Sequence, residues 1–203
     1  IQDRPVLYYS LKEFQDSAVD EIVLVVGKGE EEFCRREIVD KYGISKVKAI
    51  VEGGKERYHS VFEGLKQTSD ADYVLIHDGA RPFVNQDIIR RCMQEVQKYQ
   101  ACVVGMPVKD TIKIADEEGY AKQTPDRKNV WMIQTPQTFS YALIYEAYEE
   151  MLKTEDTAIT DDAMVLERIK GKKSKLIEGS YRNIKITTPE DLLIANVYLQ
   201  HPE

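Results

Sequence analysis

The chain has 203 residues, with 28 Lys plus Arg against 35 Asp plus Glu and a formal charge of -7. A net acidic chain argues against a general nucleic-acid or membrane-surface binder, so its basic residues are expected to act locally. The length suits one domain spanning residues 1–203; no apolar run reaches transmembrane length and no signal-peptide pattern opens the chain, so a soluble cytoplasmic protein is expected. Cys34, Cys92 and Cys102 are odd in number and widely spaced, without CxxC or paired histidines, which excludes a disulfide scaffold and a zinc site and leaves buried thiols.

In chain order the periodicity predicts a helix at 6–15, a strand at 21–26, a helix at 30–42, a strand at 47–51 and a helix at 61–68. A strand at 73–77, a helix at 86–99 and a strand at 101–107 follow. This βαβ series implies right-handed crossovers and a mostly parallel sheet flanked by helices, a Rossmann-like three-layer α/β sandwich. From about 108 to 138 the β-prone pieces are short and broken by Gly119, Pro125 and Pro136, so this stretch reads as an arm. Helical patterning returns at 141–153, 161–169 and 189–199, the last with Thr188 as N-cap and Pro189 at the first helical position.

The run YVLIHDGARPF, residues 73–83, carries the most chemistry. An apolar strand ends in Asp78, two small residues and Arg81, and open α/β sheets bind ligands beyond the carboxyl ends of their strands. Asp78 can hold a metal ion or a sugar hydroxyl there, and Arg81 offers a planar fork suited to phosphate. A turn in which Asp78 and Arg81 pair with each other is the other reading. Glu52 to Leu65, EGGKERYHSVFEGL, sets a glycine pair and basic residues before a helix, where free N–H groups can meet an anion or a base edge. PVKDTIK ends a strand with Lys109, Asp110 and Thr111; TPDRKNVW presents Arg127; QTPQTF and ITDDA put Thr135 and Thr160 at element ends, with Thr160 a helix N-cap. NIKITTPEDL places Lys185 in a short strand between apolar neighbours, where a lysine needs an anion or a route to water. The lysine-rich run at 170–175 reads as a charged turn.

Taken in order, EGGxxRxxSVxxGL, HDGARPF, PVKDTIK, DR before Trp131, QTPQ, TDDA and NIKITTPEDL resemble the 2-C-methyl-D-erythritol 4-phosphate cytidylyltransferase family across essentially the whole chain. A sister family acting on ribitol 5-phosphate is similar in fold and shares several of these segments; PVKDTIK and the DR pair favour the first. The resemblance implies transfer of a cytidylyl group from CTP to a polyol phosphate with release of pyrophosphate, assisted by Mg²⁺ or another divalent cation. It implies that Gly53, Gly54 and Ser60 contact the cytosine and that Asp78 and Ala80 lie by the ribose and reacting phosphates. Arg127 and Lys185 would clamp the methylerythritol phosphate, with Arg81, Thr111, Thr135 and Thr160 around it. It also implies a homodimer through the arm, with Arg127 and Thr111 serving the neighbour's site. No dedicated metal cage is implied, and Asp78 is the sole metal-ligand candidate.

One departure is large. The family pattern begins with a strand and a glycine-rich AAGxGxRM loop followed by a lysine, whereas IQDRPVL at residues 1–7 resembles the part just after it. About 30 residues, the size of one βα unit, are thus expected to lie outside this sequence. On that expectation the sheet lacks its middle strand and exposes unpaired edges. A non-catalytic nucleotide-binding or dimerising module is the alternative that this departure keeps open.

Overall fold

The computed structural model describes residues 1–154 and 158–201. In chain order its elements are α1 (Val6–Asp16), β1 (Ile22–Val26), α2 (Glu31–Cys34), β2 (Val47–Glu52), α3 (Arg57–Leu65), β3 (Tyr73–Ile76), α4 (Gln86–Tyr99) and β4 (Ala101–Pro107). There follow β5 (Ile114–Ala115), β6 (Ala121–Gln123), β7 (Trp131–Ser140), α5 (Tyr141–Met151), α6 (Asp162–Lys170), β8 (Lys175–Glu178) and α7 (Pro189–Gln200).

The expected strands and helices of the first half form, with local differences. The helix expected at 30–42 starts as α2 and continues as a π-helical segment, Arg35–Asp40, which seats Cys34, Ile38 and Val39 beneath β1 and β2. The helix expected from Val61 begins earlier, at Arg57, because Glu56 and His59 form a capping box around its first turn. Thr188 caps α7 from the N–H of Asp191, with Pro189 at the first position, as the sequence predicts.

The sheet is less parallel than expected, and it is divided in two. β1 and β2 pair in parallel as one ribbon, while a second sheet has the order β3-β7-β4-β8. Within it β4 and β8 run parallel, but β7 is antiparallel to both β3 and β4. The stretch from Trp131, read from sequence as the end of the arm, is therefore an interior strand. Only the short β5–β6 hairpin and the turns beside it project as an arm. β8 was not among the expected strands; its first residue, Lys175, closes the run at 170–175 that reads as a charged turn.

Helices cover both faces of the second sheet. Phe139, Val103 and Val74 pack against Ile144, Tyr148, Met151 and Leu166 of α5 and α6. On the opposite face Cys102, Val104 and Ile177 meet Ile88, Ile89, Cys92 and Val96 of α4. Successive strand residues point to opposite faces, so β4, buried along its length, reads as an unbroken apolar run. All three cysteines are free and buried, Cys92 and Cys102 in the core against α4 and Cys34 beneath β1 and β2.

β1 is hydrogen-bonded to β2 and β3 to β7, and the residues of β1 and β3 line one cavity of about 1340 Å³. The division of the sheet falls there, and the cavity continues past Gly53, Gly54, Arg57, Ser60 and Asp78.

Candidate active site

The site lies where β3 ends, beside the loop that follows β2. That loop folds back on α3: the N–H of Gly53 donates to the Val26 carbonyl at 2.8 Å and the N–H of Gly54 donates to Ser60 Oγ at 3.1 Å. Only glycine tolerates this approach, since a Cβ at Gly53 would meet Ser60 Oγ at 2.6 Å and one at Gly54 would meet His59 Cβ at 2.3 Å. The sequence-predicted group Gly53, Gly54 and Ser60 is thus brought together, lining the same cavity as Asp78.

Asp78 is the hub. Arg57 Nε donates to its Oδ1 at 3.2 Å, and Lys185 Nζ lies 3.0 Å from its Oδ2. Burial opposes ionisation of Asp78, but the Arg57 and Lys185 charges outweigh it and hold the carboxyl below the usual carboxylate range. Lys185 is the exposed member, with 42% of its side chain accessible, so its ammonium faces both Asp78 and solvent. It reaches this position from a loop and not from the expected strand; the neighbouring Ile186 N–H donates to the Ala80 carbonyl at 2.8 Å.

The Arg81 fork meets backbone carbonyls. Its Nη1 donates to the Asn183 carbonyl at 2.8 Å and its Nη2 to the Ile133 carbonyl at 3.4 Å, while its Nε stands 3.7 Å from Asp78. Here the guanidinium ties β7 and the Lys185 loop to the end of β3. The simple turn pair of Asp78 and Arg81 is not the main contact, since Arg57 and Lys185 lie closer.

Thr135 is also turned inward. The β4–β7 register slips between Val103 and Gly105, opposite Gln134, Thr135 and Pro136, and at this irregularity the three residues leave the regular ladder. Thr135 Oγ1 accepts the N–H of Asp78 at 3.1 Å and lies 3.0 Å from His77 Nδ1. His77 Nε2 is 3.1 Å from the Arg81 carbonyl, which can only accept, so Nε2 carries the proton and the Thr135 hydroxyl donates to Nδ1. Burial pushes the His77 pKa down to about 4, keeping the ring neutral. Thr135 was expected to hydrogen-bond the polyol phosphate; its one donor is committed to His77.

Thr160 is exposed, but it does not cap α6: the cap is Asp161, whose Oδ1 accepts from the Met164 N–H at 2.8 Å. Arg127 and Thr111 are exposed on the arm side. Arg127 Nη1 donates to the Lys109 carbonyl at 2.9 Å, and neither residue lines the cavity.

Reading the sequence misses several members of the site. Arg57 grips both oxygens of the fully buried Asp162 at 2.9 Å, and Tyr148 donates to the same carboxylate at 2.6 Å. Asn183, also fully buried, donates to the Thr135 carbonyl at 2.9 Å. The arginine of EGGxxR, the second aspartate of TDDA and the asparagine of NIK stood within recognised segments; only their partners were hidden.

The sequence pattern of the family described as IspD, 2-C-methyl-D-erythritol 4-phosphate cytidylyltransferase, matches residues 1–201. The chain belongs to this family. A family member from Lachnospira eligens is 52% identical over 202 residues, covering 98% of this chain and 88% of its own length. One from Lachnoclostridium phytofermentans is 48% identical over 200 residues, covering 98% and 86%. Among solved structures, 4-diphosphocytidyl-2C-methyl-D-erythritol synthase of Anaerococcus prevotii superposes with a TM-score of 0.91 at 38% identity, covering 99% of this chain and 88% of that one. The Thermus thermophilus cytidylyltransferase gives 0.81 at 32%, covering 98% and 90%. The Rossmann-like nucleotidyltransferase architecture follows from these likenesses.

Proposed function

We propose that this IspD-family chain transfers the cytidylyl group of CTP to 2-C-methyl-D-erythritol 4-phosphate, releasing pyrophosphate, in isoprenoid synthesis. The observation that carries the reading is the convergence of the Gly53–Gly54 loop and Asp78 at one cavity, with Lys185 held on Asp78, in a chain matched to the family over residues 1–201. In this reading the loop and Ser60 receive the cytosine, and Asp78 and Ala80 lie by the ribose. Lys185 holds the polyol phosphate so that its oxygen attacks the α-phosphorus. No protein nucleophile is required, because positioning and charge neutralisation carry phosphoryl-type transfer.

A divalent cation, Mg²⁺ in the family reading, belongs to this chemistry as part of the nucleotide complex. Among the described residues no group of three or more His, Cys, Asp or Glu is placed to hold a metal, and both Asp78 oxygens already face cations. Of the residues present, Asp78 would hold the ion, which would neutralise charge developing on the phosphates.

Arg127 and Thr111, exposed on the arm, are assigned to the active site of a second subunit in a homodimer. Ile114, Tyr120, Met132 and Ile133 add exposed apolar surface on and beside that arm, which a partner would cover. No helix among the described residues is long and apolar enough to cross a membrane, consistent with a cytoplasmic enzyme.

The deciding experiment measures pyrophosphate release from CTP and Mg²⁺ with methylerythritol 4-phosphate and, separately, ribitol 5-phosphate. Release with the first alone is expected. Release with ribitol phosphate moves the chain to the sister activity, and release with neither returns it to a binding module.

A further inference from the structure

The buried acidic residue Asp162 and its two partners have no part in the reading above, yet they end one side chain away from its hub. Asp162 opens α6 with its side chain fully buried. A carboxylate removed from water needs hydrogen bonds and an opposite charge. Arg57 supplies both, placing Nη1 and Nη2 on the two oxygens at 2.9 Å each, and Tyr148 of α5 adds a third donor at 2.6 Å. Gln137 of β7 locks the helix start from the other side, accepting the Ala163 N–H at 2.9 Å and donating to Asp161 at 3.1 Å. Three elements, α5, α6 and β7, thereby anchor one guanidinium of α3.

Satisfying Asp162 takes only the two Nη groups of Arg57. The third nitrogen, Nε, meets Asp78 Oδ1 at 3.2 Å. Asp78 is left with one oxygen on Arg57 and the other on Lys185, so rotation of its carboxylate is restrained from both sides. A lysine in place of Arg57 has one point charge and cannot serve the two carboxylates with this fork geometry. Arg57 also directly follows the glycine-pair loop as the first residue of α3, so the same side chain ties the nucleotide loop to the start of α6.

We propose that Arg57 is a positioning residue, anchored by Asp162 and Tyr148, whose Nε aims the Asp78 carboxylate and through it Lys185. The proposal rests on the cytidylyltransferase reading for its consequence in turnover. Small displacements of a positioned group cost up to about a hundredfold in rate. Arg57→Lys, which keeps the charge and loses the fork, is expected to lower kcat about tenfold or more. Its effect should depend on the residue that it positions.

The test is a cycle of four full-length proteins: parent, Arg57→Lys, Asp78→Asn and the double variant, assayed by pyrophosphate release and by calorimetric binding of the polyol phosphate. Arg57→Lys is expected to reduce turnover and weaken polyol-phosphate binding in the parent, and to change either by less than about twofold once Asp78 is asparagine. The same fractional loss in both backgrounds overturns the proposal, because a purely structural role is indifferent to the charge at position 78; so does an undiminished Arg57→Lys enzyme. If Arg57→Lys does not fold by thermal unfolding, Tyr148→Phe, which deletes one hydroxyl from the anchor, replaces it in the cycle with the same two outcomes. If Asp78→Asn turnover falls below detection, the calorimetric arm decides. Absence of pyrophosphate from the parent refutes the functional reading, and the binding cycle still judges Arg57.

Discussion

The hydroxyl of Thr135 accepts the backbone N–H of Asp78 at 3.1 Å, joining the irregular middle of β7 to the end of β3. Through its own proton it continues to His77 and from there to the Arg81 carbonyl. The result is a closed loop of hydrogen bonds under the hub of the site, and it fixes the main chain of Asp78 as Arg57 fixes its side chain. Thr135→Val keeps the shape and removes both bonds, leaving a buried N–H and a ring nitrogen unpartnered. It is expected to destabilise the fold by about 1–3 kcal/mol, whereas Thr135→Ser, which retains the hydroxyl, should cost clearly less. Urea unfolding of the two variants checks the difference, and equal losses would show that the hydroxyl is not what matters.

His77 gives that loop a pH dependence. Its folded pKa is about 4, depressed from the ordinary 6.5 chiefly by burial, so the unfolded chain takes up a proton first as pH falls. Stability from the neutral ring is full above pH 6.5 and is lost progressively between pH 6.5 and 4, for a total of roughly 3 kcal/mol. His77→Gln, which can still accept from Thr135 and donate to a carbonyl, is expected to flatten the unfolding free energy across that window. Asp78 acts in a different range: its depressed pKa withdraws stability only at and below the ordinary carboxylate range. A parent and variant with parallel profiles from pH 6.5 to 4 would remove His77 from this role.

The glycine pair makes a sharper steric prediction. Gly54→Ala would put a Cβ 2.3 Å from His59 Cβ and 3.3 Å from the His59 backbone carbon, so the loop must move off the first turn of α3. CTP affinity is expected to fall about tenfold, because the loop no longer presents its backbone to the base, while polyol-phosphate binding changes little. Calorimetry with each ligand separately measures the two effects, and an unchanged CTP affinity would place the base elsewhere.

How much of this was legible in the sequence depends on whether a residue's role is local. The strand end at Asp78, the glycine pair and the Thr188 cap announce themselves through short-range chemistry, and each lies where the pattern puts it. β7 was hidden because its buried residues Gln134, Thr135, Gln137 and Thr138 are polar and Pro136 lies among them, a composition that reads as loop. They are tolerated inside because three of them bond to Ser180, Asp78, His77, Asp161 and Ala163, partners invisible from local pattern. Arg57 illustrates the same limit: it stood in a quoted motif, but its anchor Asp162 is 105 positions away. Arg81 likewise meets partners that its motif does not show, the carbonyls of Asn183 and Ile133.

Arg127 and Lys185 were paired by resemblance, yet Lys185 contacts Asp78 while Arg127 is held on the arm by the Lys109 carbonyl. If the arm of each subunit completes its neighbour's site, single Arg127→Ala and Lys185→Ala proteins should both lose turnover with CTP affinity nearly intact. Mixing them after subunit exchange is then informative. Half of the dimers become mixed, and in each one site combines the intact Lys185 of the Arg127→Ala subunit with the intact Arg127 of the other. About a quarter of parental activity per active site is therefore expected to return, from the random statistics of a two-fold assembly. If Arg127 serves its own subunit, no site in any mixed dimer is complete and mixing restores nothing. Pyrophosphate release before and after exchange distinguishes the two, and sedimentation of the same samples verifies that dimers are present to exchange.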